Sequence, residues 1–189
     1  MVQEYRYRSV FNDFLLVTSF KKIRLLHFDL TDKDLEAIAK RCLLLEKVEL
    51  TCGRLITDSS ISFLLQNCCH LGTLHLHYCD NITGIGFLGC PETLTNLKAD
   101  YCKLTPERIS AIVSGGGLEY LRLCRGVPKF KTETIMTISK GCPLLKELSL
   151  SDCEEVEPEG WQTIGQNCKY LERLYVFDEE GYESFVQWK

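Results

Sequence analysis

Apolar residues recur along this chain in a short fixed pattern, in which an anchor residue is followed by apolar residues three and five positions later. The pattern returns every 23 to 27 residues. A period of this length indicates an array of stacked structural repeats, each too small to bury its hydrophobic face alone. The pattern occurs seven times, with anchors at Phe20, Leu45, Leu71, Leu94, Leu118, Leu145 and Leu171.

Each repeat is predicted to contain a strand, and several strands are followed by a predicted helix. The residues three and five positions after the anchor share one face of a strand, because strand side chains alternate between faces. Helix-start signals, threonine or aspartate with an acidic residue or proline in the first turn, begin at Thr31, Thr57, Thr105 and Thr132. Stacked units of this kind predict an α/β solenoid shaped like a horseshoe, with a parallel β-sheet on the concave face and helices on the convex face.

Five of the repeats open with a cysteine and follow the phrase C-P-x-L-x-x-L-x-L-x-x-C or a variant of it, which is fullest in residues 141–176. Thr-Asp or Thr-x-Glu commonly precedes the helix that follows. This combination resembles the cysteine-containing leucine-rich repeats of F-box proteins over roughly residues 20–176. The resemblance implies a leucine-rich-repeat fold and, as in F-box proteins, capture of a target protein for a cullin ubiquitin ligase.

The repeat array is expected to occupy residues 20–176, between an N-terminal cap or partial repeat at 1–19 and a C-terminal cap or tail at 177–189. Apolar residues in the flanking segments either cover the open ends of the core or mark neighbours missing from a longer array. Residues 1–19 are too short for an F-box and lack its Leu-Pro start, so ligase components are expected to be contacted through a region absent from this chain. The apolar flanking residues are Phe11, Phe14, Leu15, Leu16, Tyr182, Phe185, Val186 and Trp188.

The chain has eleven cysteines, and six cysteine and histidine residues cluster in the third repeat. Such a cluster is a candidate zinc site, since zinc prefers both residue types as ligands. The repeat pattern favours another interpretation, in which cysteines pack along the spine as small apolar side chains while the histidines of the strand point outward. We therefore expect no metal, no cofactor and no disulfides, and hence a reducing intracellular compartment, cytoplasmic or nuclear. The cluster comprises Cys68, Cys69, His70, His75, His77 and Cys79, and the other expected spine cysteines are Cys42, Cys52, Cys90, Cys102, Cys142, Cys153 and Cys168.

No catalytic residues are expected in this chain. Cys124 is the one cysteine that the repeat pattern places on the outward side of a strand, where Arg122 and Arg125 would lower the pKa of its thiol. We interpret it as an ordinary surface thiol. Gly115–Gly117 is predicted to be a turn between a helix and a strand rather than a phosphate-binding loop. Such a loop requires a following Lys-Ser/Thr, which the sequence lacks. The sequence therefore predicts that this protein is not an enzyme.

Charge and hydropathy exclude two classes of partner. The chain has 22 basic and 26 acidic residues, a net charge of -4, and no long run of like charge, which argues against nucleic acid or an anionic membrane as the main partner. The longest apolar run, residues 14–20, is about a third of the length that a membrane span requires. We expect neither nucleic acid nor membrane as a partner.

The outward positions of the predicted strands define the expected binding surface on the concave face. Tyrosine, arginine and histidine are concentrated in the middle strands, and the first two are enriched at binding hot spots because of their rigid, amphipathic side chains. We therefore predict that another protein binds here, with a merely solvated sheet face as the alternative. The predicted binding residues are His75, His77, Tyr78, Lys98, Asp100, Tyr101, Tyr120, Arg122, Arg125, Arg173 and Tyr175.

Three functions are consistent with this surface. The first is target recognition in a cullin/F-box-type ubiquitin ligase, which the resemblance implies. The second is a free-standing scaffold or inhibitor with no connection to a ligase. The third is sensing of a small ligand or hormone, for which the candidate loop carries Arg125, Lys129 and Lys131 around residues 127–128.

Overall fold

The strands form one eight-stranded sheet in which spatial order follows sequence order. The computed structural model describes residues 19–26, 29–126, 129–178 and 183–187. Strands β1 to β7 are parallel, one from each predicted repeat, and β8 pairs antiparallel with β7. The strands are β1 Lys22–Leu26, β2 Lys47–Thr51, β3 Thr73–His77, β4 Asn96–Asp100, β5 Tyr120–Cys124, β6 Glu147–Ser151, β7 Arg173–Phe177 and β8 Glu183–Gln187.

Helices connect most of the parallel strands, and two of them begin directly after the predicted threonines. Thr31 precedes α1, where the carboxylate of Asp34 accepts hydrogen bonds from the N–H of Thr31 at 2.9 Å and from its hydroxyl at 2.7 Å. Thr57 precedes α2 and accepts a hydrogen bond from the N–H of Ser59 at 3.2 Å. These bonds satisfy or orient groups that a helix start leaves without intrahelical partners. The helices are α1 Asp32–Arg41, α2 Asp58–Asn67, α3 Ile109–Ile112, α4 Thr132–Gly141 and α5 Pro158–Asn167.

The third and fourth repeats depart from this plan. In the third repeat, Ile85–Phe87 forms a single 3₁₀ turn. In the fourth, the helix predicted after Thr105 is reduced to the 3₁₀ turn Pro106–Arg108 and the four residues of α3. These two repeats have the shortest spacing to the next anchor, and in the fourth the predicted turn at residues 115–117 brings the chain back to the sheet. The helix predicted after Thr105 is therefore present but short.

The core lies between the sheet and the helices. Equivalent apolar positions of neighbouring strands stand in register, and they are almost fully buried. Each buried leucine contributes up to about 2 kcal/mol through the apolar surface that it removes from water. One such row consists of Leu50, Leu76, Ala99, Leu123 and Leu150.

The prediction that cysteines pack along the spine is confirmed for most of them. Burial raises the pKa of Cys142 to about 12 and that of Cys168 to about 11, so these thiols stay protonated and apolar. Cys52 is an exception, since its side chain is only half-buried. All eleven cysteines are free, and the buried spine residues are Cys42, Cys68, Cys79, Cys90, Cys102, Cys142, Cys153 and Cys168.

Candidate partner-binding surface

The outward side chains of β3, β4 and β5 form three rows at the centre of the concave face. The strand register aligns Asn96 with Tyr120 in the first row, and Lys98 with Arg122 in the second. His75 extends the second row on β3. Because neighbouring strands lie roughly 5 Å apart, each row brings its side chains within reach of one ligand. The structure therefore brings together the residues that the sequence predicts for these strands.

The third row consists of His77, Asp100 and Cys124. A cluster of rings lies beside it at the carboxyl edge of the sheet. We name His77, Tyr78, Tyr101 and Arg125 the rim cluster. The two tyrosine rings are stacked, with centroids 4.4 Å apart and planes at 14°, and the ring of His77 meets them edge-on at 4.5 and 5.5 Å. The guanidinium of Arg125 lies 5.6 Å from the centre of the Tyr101 ring and donates a hydrogen bond to its hydroxyl. The cluster is thus a preassembled aromatic and cationic surface.

A left-handed backbone position places this cluster. Tyr78, Tyr101 and Arg125 each follow a strand directly and have a φ of 55°. Residues other than glycine seldom adopt this backbone conformation, because their Cβ approaches the following carbonyl oxygen. Here hydrogen bonds to the next repeat hold the turn, such as the one from the N–H of Tyr78 to the carbonyl of Asp100 at 3.1 Å. The repeated turn points one side chain per repeat along the rim.

Glu49 organises the second row from its position on β2. Its carboxylate pairs with Lys47 at 2.7 Å, with Arg24 at 3.0 Å and with Nδ1 of His75 at 3.3 Å. The hydrogen bond from Lys47 outweighs burial and lowers the pKa of Glu49. The other ring nitrogen of His75 lies 3.3 Å from Oδ1 of Asn96. His75 is thereby fixed between two neighbouring strands.

We expect the imidazole of His75 to titrate below its usual value near 6.5. Burial lowers its pKa, and the charges of Lys98 and Lys47 lower it further, against the opposing effects of Asn96 and Glu49. As the pH falls, the imidazole is therefore protonated in the unfolded chain at a higher pH than in the folded chain. Protonation of His75 lowers the free energy of unfolding as the pH falls through the pKa of the unfolded state. NMR titration of the ring should show the low midpoint in the wild type and a higher midpoint in Lys98→Met. A midpoint above 6.5 in the wild type would contradict the structure.

Arg122 is held from two sides. Its Nε donates to both carboxylate oxygens of Asp100 at 2.9 Å. Its guanidinium lies 5.0 Å from the centre of the Phe177 ring on β7, two strands away. It reaches that ring across β6, where two of the three outward residues, Ser149 and Ser151, are small. The charge, the two hydrogen bonds from Nε and the ring contact together hold Arg122 in this orientation.

Three positions that the strand pattern predicts to be exposed are buried instead. Cys124 is 1% exposed, Ser149 2% and Ser151 1%. Burial raises the pKa of the Cys124 thiol to about 12, against the smaller opposing effect of Arg122. Ser151 is also occupied, because its hydroxyl oxygen accepts a hydrogen bond from the N–H of Arg125 at 2.8 Å. The prediction of a surface thiol at Cys124 is therefore wrong, because this small side chain lies among longer charged ones, including Arg122 and Asp100.

The remaining predicted residues lie at a distance from the centre. Arg173 and Tyr175 are on β7, beside Glu147 and Ser149 of β6, and the Nε of Arg173 lies 2.9 Å from Glu147. Glu49 and Asn96 lie at outward strand positions but are not among the predicted binding residues. The signal that could have found them is their position in register beside His75 and Tyr120.

Neither a metal site nor a membrane span is found in the described parts of the chain. Among the described residues, no group of three or more histidine, cysteine, aspartate or glutamate residues could hold a metal ion. The helices of those same segments are all too short to cross a bilayer. Residues 127–128 of the loop considered for small-ligand binding lie outside the described residues.

The comparisons with known proteins agree with this architecture. No family model matches the chain. F-box/LRR-repeat protein 12 of Arabidopsis thaliana is 35% identical over 88 residues, which cover 46% of this chain and 22% of that protein. The matched segment therefore spans less than a quarter of that relative's length.

Two solved structures are also similar. The leucine-rich repeat-containing protein LegL7 of Legionella pneumophila aligns with a TM-score of 0.51 at 12% identity, covering 82% of this chain and 54% of that one. The C-terminal domain of tropomodulin from Caenorhabditis elegans aligns with a TM-score of 0.46 at 12% identity, covering 86% and 91%. The repeat spacing, the seven parallel strands and the similarity to F-box/LRR-repeat protein 12 and LegL7 show that this chain has a leucine-rich-repeat fold.

Proposed function

We propose that this chain is a protein-interaction module that captures a target protein on its concave face. The observation that carries the proposal is the preassembled centre of that face, where the rim cluster adjoins the rigidly held Arg122. Tyrosine and arginine held in fixed conformations lose little entropy on binding, so they are the residue types that dominate interface energies. A merely solvated face would not require such fixation.

We further propose that the captured protein is a target for a cullin/F-box-type ubiquitin ligase, and that the chain works in a reducing intracellular compartment. The similarity to F-box/LRR-repeat protein 12 supports the ligase context, and the free cysteines support the compartment. The alternative is a free-standing scaffold or inhibitor with the same binding face.

The double variant Tyr120→Ala/Arg122→Ala tests the binding face. Both side chains are half-buried at the centre of the face, and loss of two hot-spot residues should weaken partner capture by at least about thirtyfold. Because Arg122 pairs with a carboxylate that is itself partly exposed, the free energy of unfolding should change by only about 1 kcal/mol. A pull-down from lysate with mass spectrometry, followed by affinity measurement on the recovered partner, measures the first effect, and urea unfolding measures the second.

A matched control removes a cation and a tyrosine elsewhere. Lys169→Ala/Tyr170→Ala alters two exposed residues in the turn before β7, outside the concave face, and should leave capture unchanged. Recovery of cullin adaptor components with the partner supports the ligase context, whereas a stable complex without them supports the scaffold. Undiminished capture by Tyr120→Ala/Arg122→Ala would overturn binding on this face.

A further inference from the structure

Basic side chains outnumber acidic ones on the concave face, although the whole chain has a net charge of -4. This face comprises the outward residues of β1 to β7 and the residue that follows each of β2 to β7. The seven basic residues are Lys22, Arg24, Lys47, Lys98, Arg122, Arg125 and Arg173. The five acidic residues are Glu49, Asp100, Glu147, Asp152 and Asp178. A basic face on an acidic protein is complementary to an acidic partner.

Lys98 is the cation at the centre of this face, and no carboxylate of the described residues pairs with it within 4.0 Å. In the strand register it lies between His75 and Arg122. Its half-buried position restricts the water that could compensate the charge. A half-buried ammonium group flanked by an imidazole and a guanidinium favours the binding of an anionic group from another molecule.

Arg122 presents the second half of the anion site. Only its Nε bonds to Asp100, and within the described segments its terminal nitrogens make no hydrogen bond. The Phe177 ring supports the guanidinium plane at 5.0 Å. The terminal nitrogens of a guanidinium match the two oxygens of a carboxylate, so the pairing needs no rearrangement of Arg122.

We propose that the concave face recognises an extended acidic peptide segment of its partner, with one carboxylate received between Lys98 and the terminal nitrogens of Arg122, beside the rim cluster. This inference rests on the proposed function and names the chemistry of the target. Arg125 adds a second cation at the rim, bonded to the neutral hydroxyl of Tyr101 and in no ion pair with a described carboxylate. The stacked rings of Tyr78 and Tyr101 offer a surface for an apolar or aromatic residue of the same segment.

The test uses the whole chain and a twelve-residue peptide that contains four glutamates and one phenylalanine, with a peptide in which glutamine replaces every glutamate. NMR chemical-shift titration should locate the glutamate peptide on β3 to β5, and the glutamine peptide should bind at least about tenfold more weakly. The bound carboxylate should also raise the pKa of His75, whose present charged and polar neighbours are Glu49, Lys47, Lys98 and Asn96. Equal binding of both peptides would overturn the proposal.

Two variants with the same change of charge separate a specific site from general attraction. Lys98→Glu should weaken binding of the glutamate peptide about tenfold or more, whereas Lys22→Glu, on the outer strand β1, should weaken it less than twofold. Equal effects of both variants would contradict a site at Lys98. A phosphoserine peptide or a thymidine oligonucleotide that binds more tightly at the same residues than the glutamate peptide would also overturn the choice of an acidic peptide.

The same variants distinguish this inference from the proposed function. If Tyr120→Ala/Arg122→Ala abolishes capture of the cellular partner while Lys98→Glu leaves it intact, the acidic segment is wrong and concave-face binding stands. If Tyr120→Ala/Arg122→Ala has no effect on that capture, both proposals fail.

Discussion

Gly117→Ala is expected to destabilise the protein by about 3 kcal/mol or more, because the added methyl group would overlap backbone of the preceding repeat. A Cβ at this position would collide with the carbonyl oxygen of Glu92. The obstacle is backbone, so no side-chain rotation relieves the overlap and the third and fourth repeats must separate. Urea unfolding measures the loss, and for a chain of this size the midpoint of thermal unfolding should fall by roughly 10 °C.

Gly116→Ala is the matched control for this expectation. Gly116 has a φ of +72°, and apart from Gly116 itself and its two chain neighbours no atom lies within 4 Å of the position that its Cβ would take. Its replacement should therefore incur only the conformational cost of a left-handed alanine, about 1 kcal/mol. If the two variants lose equal stability, backbone overlap at Gly117 is not the cause.

Asp58→Ala is expected to lower the free energy of unfolding by about 4 kcal/mol, because this one carboxylate joins the start of α2 to the following repeat through hydrogen bonds. Asp58 accepts hydrogen bonds from the N–H and hydroxyl of Thr83 at 2.9 and 2.7 Å. It also accepts from the N–H groups of Gly84 at 3.1 Å and Gly86 at 2.9 Å. Alanine would leave three backbone donors without an acceptor, and urea unfolding should record the loss.

Two further variants identify the cause of that loss. Asp58→Asn keeps one acceptor oxygen, so about half of the stability should return. Asp80→Ala removes an exposed aspartate and should change the free energy of unfolding by less than about 0.5 kcal/mol. A cost for Asp58→Ala no greater than that for Asp80→Ala would show that the four hydrogen bonds do not hold the repeats together.

The sequence pattern within a repeat predicts the fold correctly where neighbouring repeats have the same structure. The anchor spacing locates all seven parallel strands, since an apolar residue three and five positions after the anchor must face the same core in every repeat. The length of the connecting helix is less predictable. A threonine start signal precedes the ten residues of α2, but after Thr105 the same signal precedes only a 3₁₀ turn and the four residues of α3. The number of residues before the next anchor, rather than the start signal, limits the helix.

The outward positions of the candidate site are predicted correctly where long polar side chains occupy them. His75, Lys98 and Arg122 lie in one row because parallel strands of equal length stay in register. Exposure is mispredicted at Cys124, because a period of two specifies the side of the sheet and not what lies above it. A small residue beside a long one is covered by its neighbour.

The sequence by itself determined the repeat, the strand positions and the inward or outward direction of each strand residue, because these depend on spacing within one unit. The tertiary structure decided which outward residues act together. The pairing of Arg122 with Asp100 and Phe177 joins three strands, and the stack of Tyr78 on Tyr101 joins two. Side chains more than twenty residues apart in sequence meet only after stacking fixes the register, so their contacts depend on the packing between repeats rather than on any one of them.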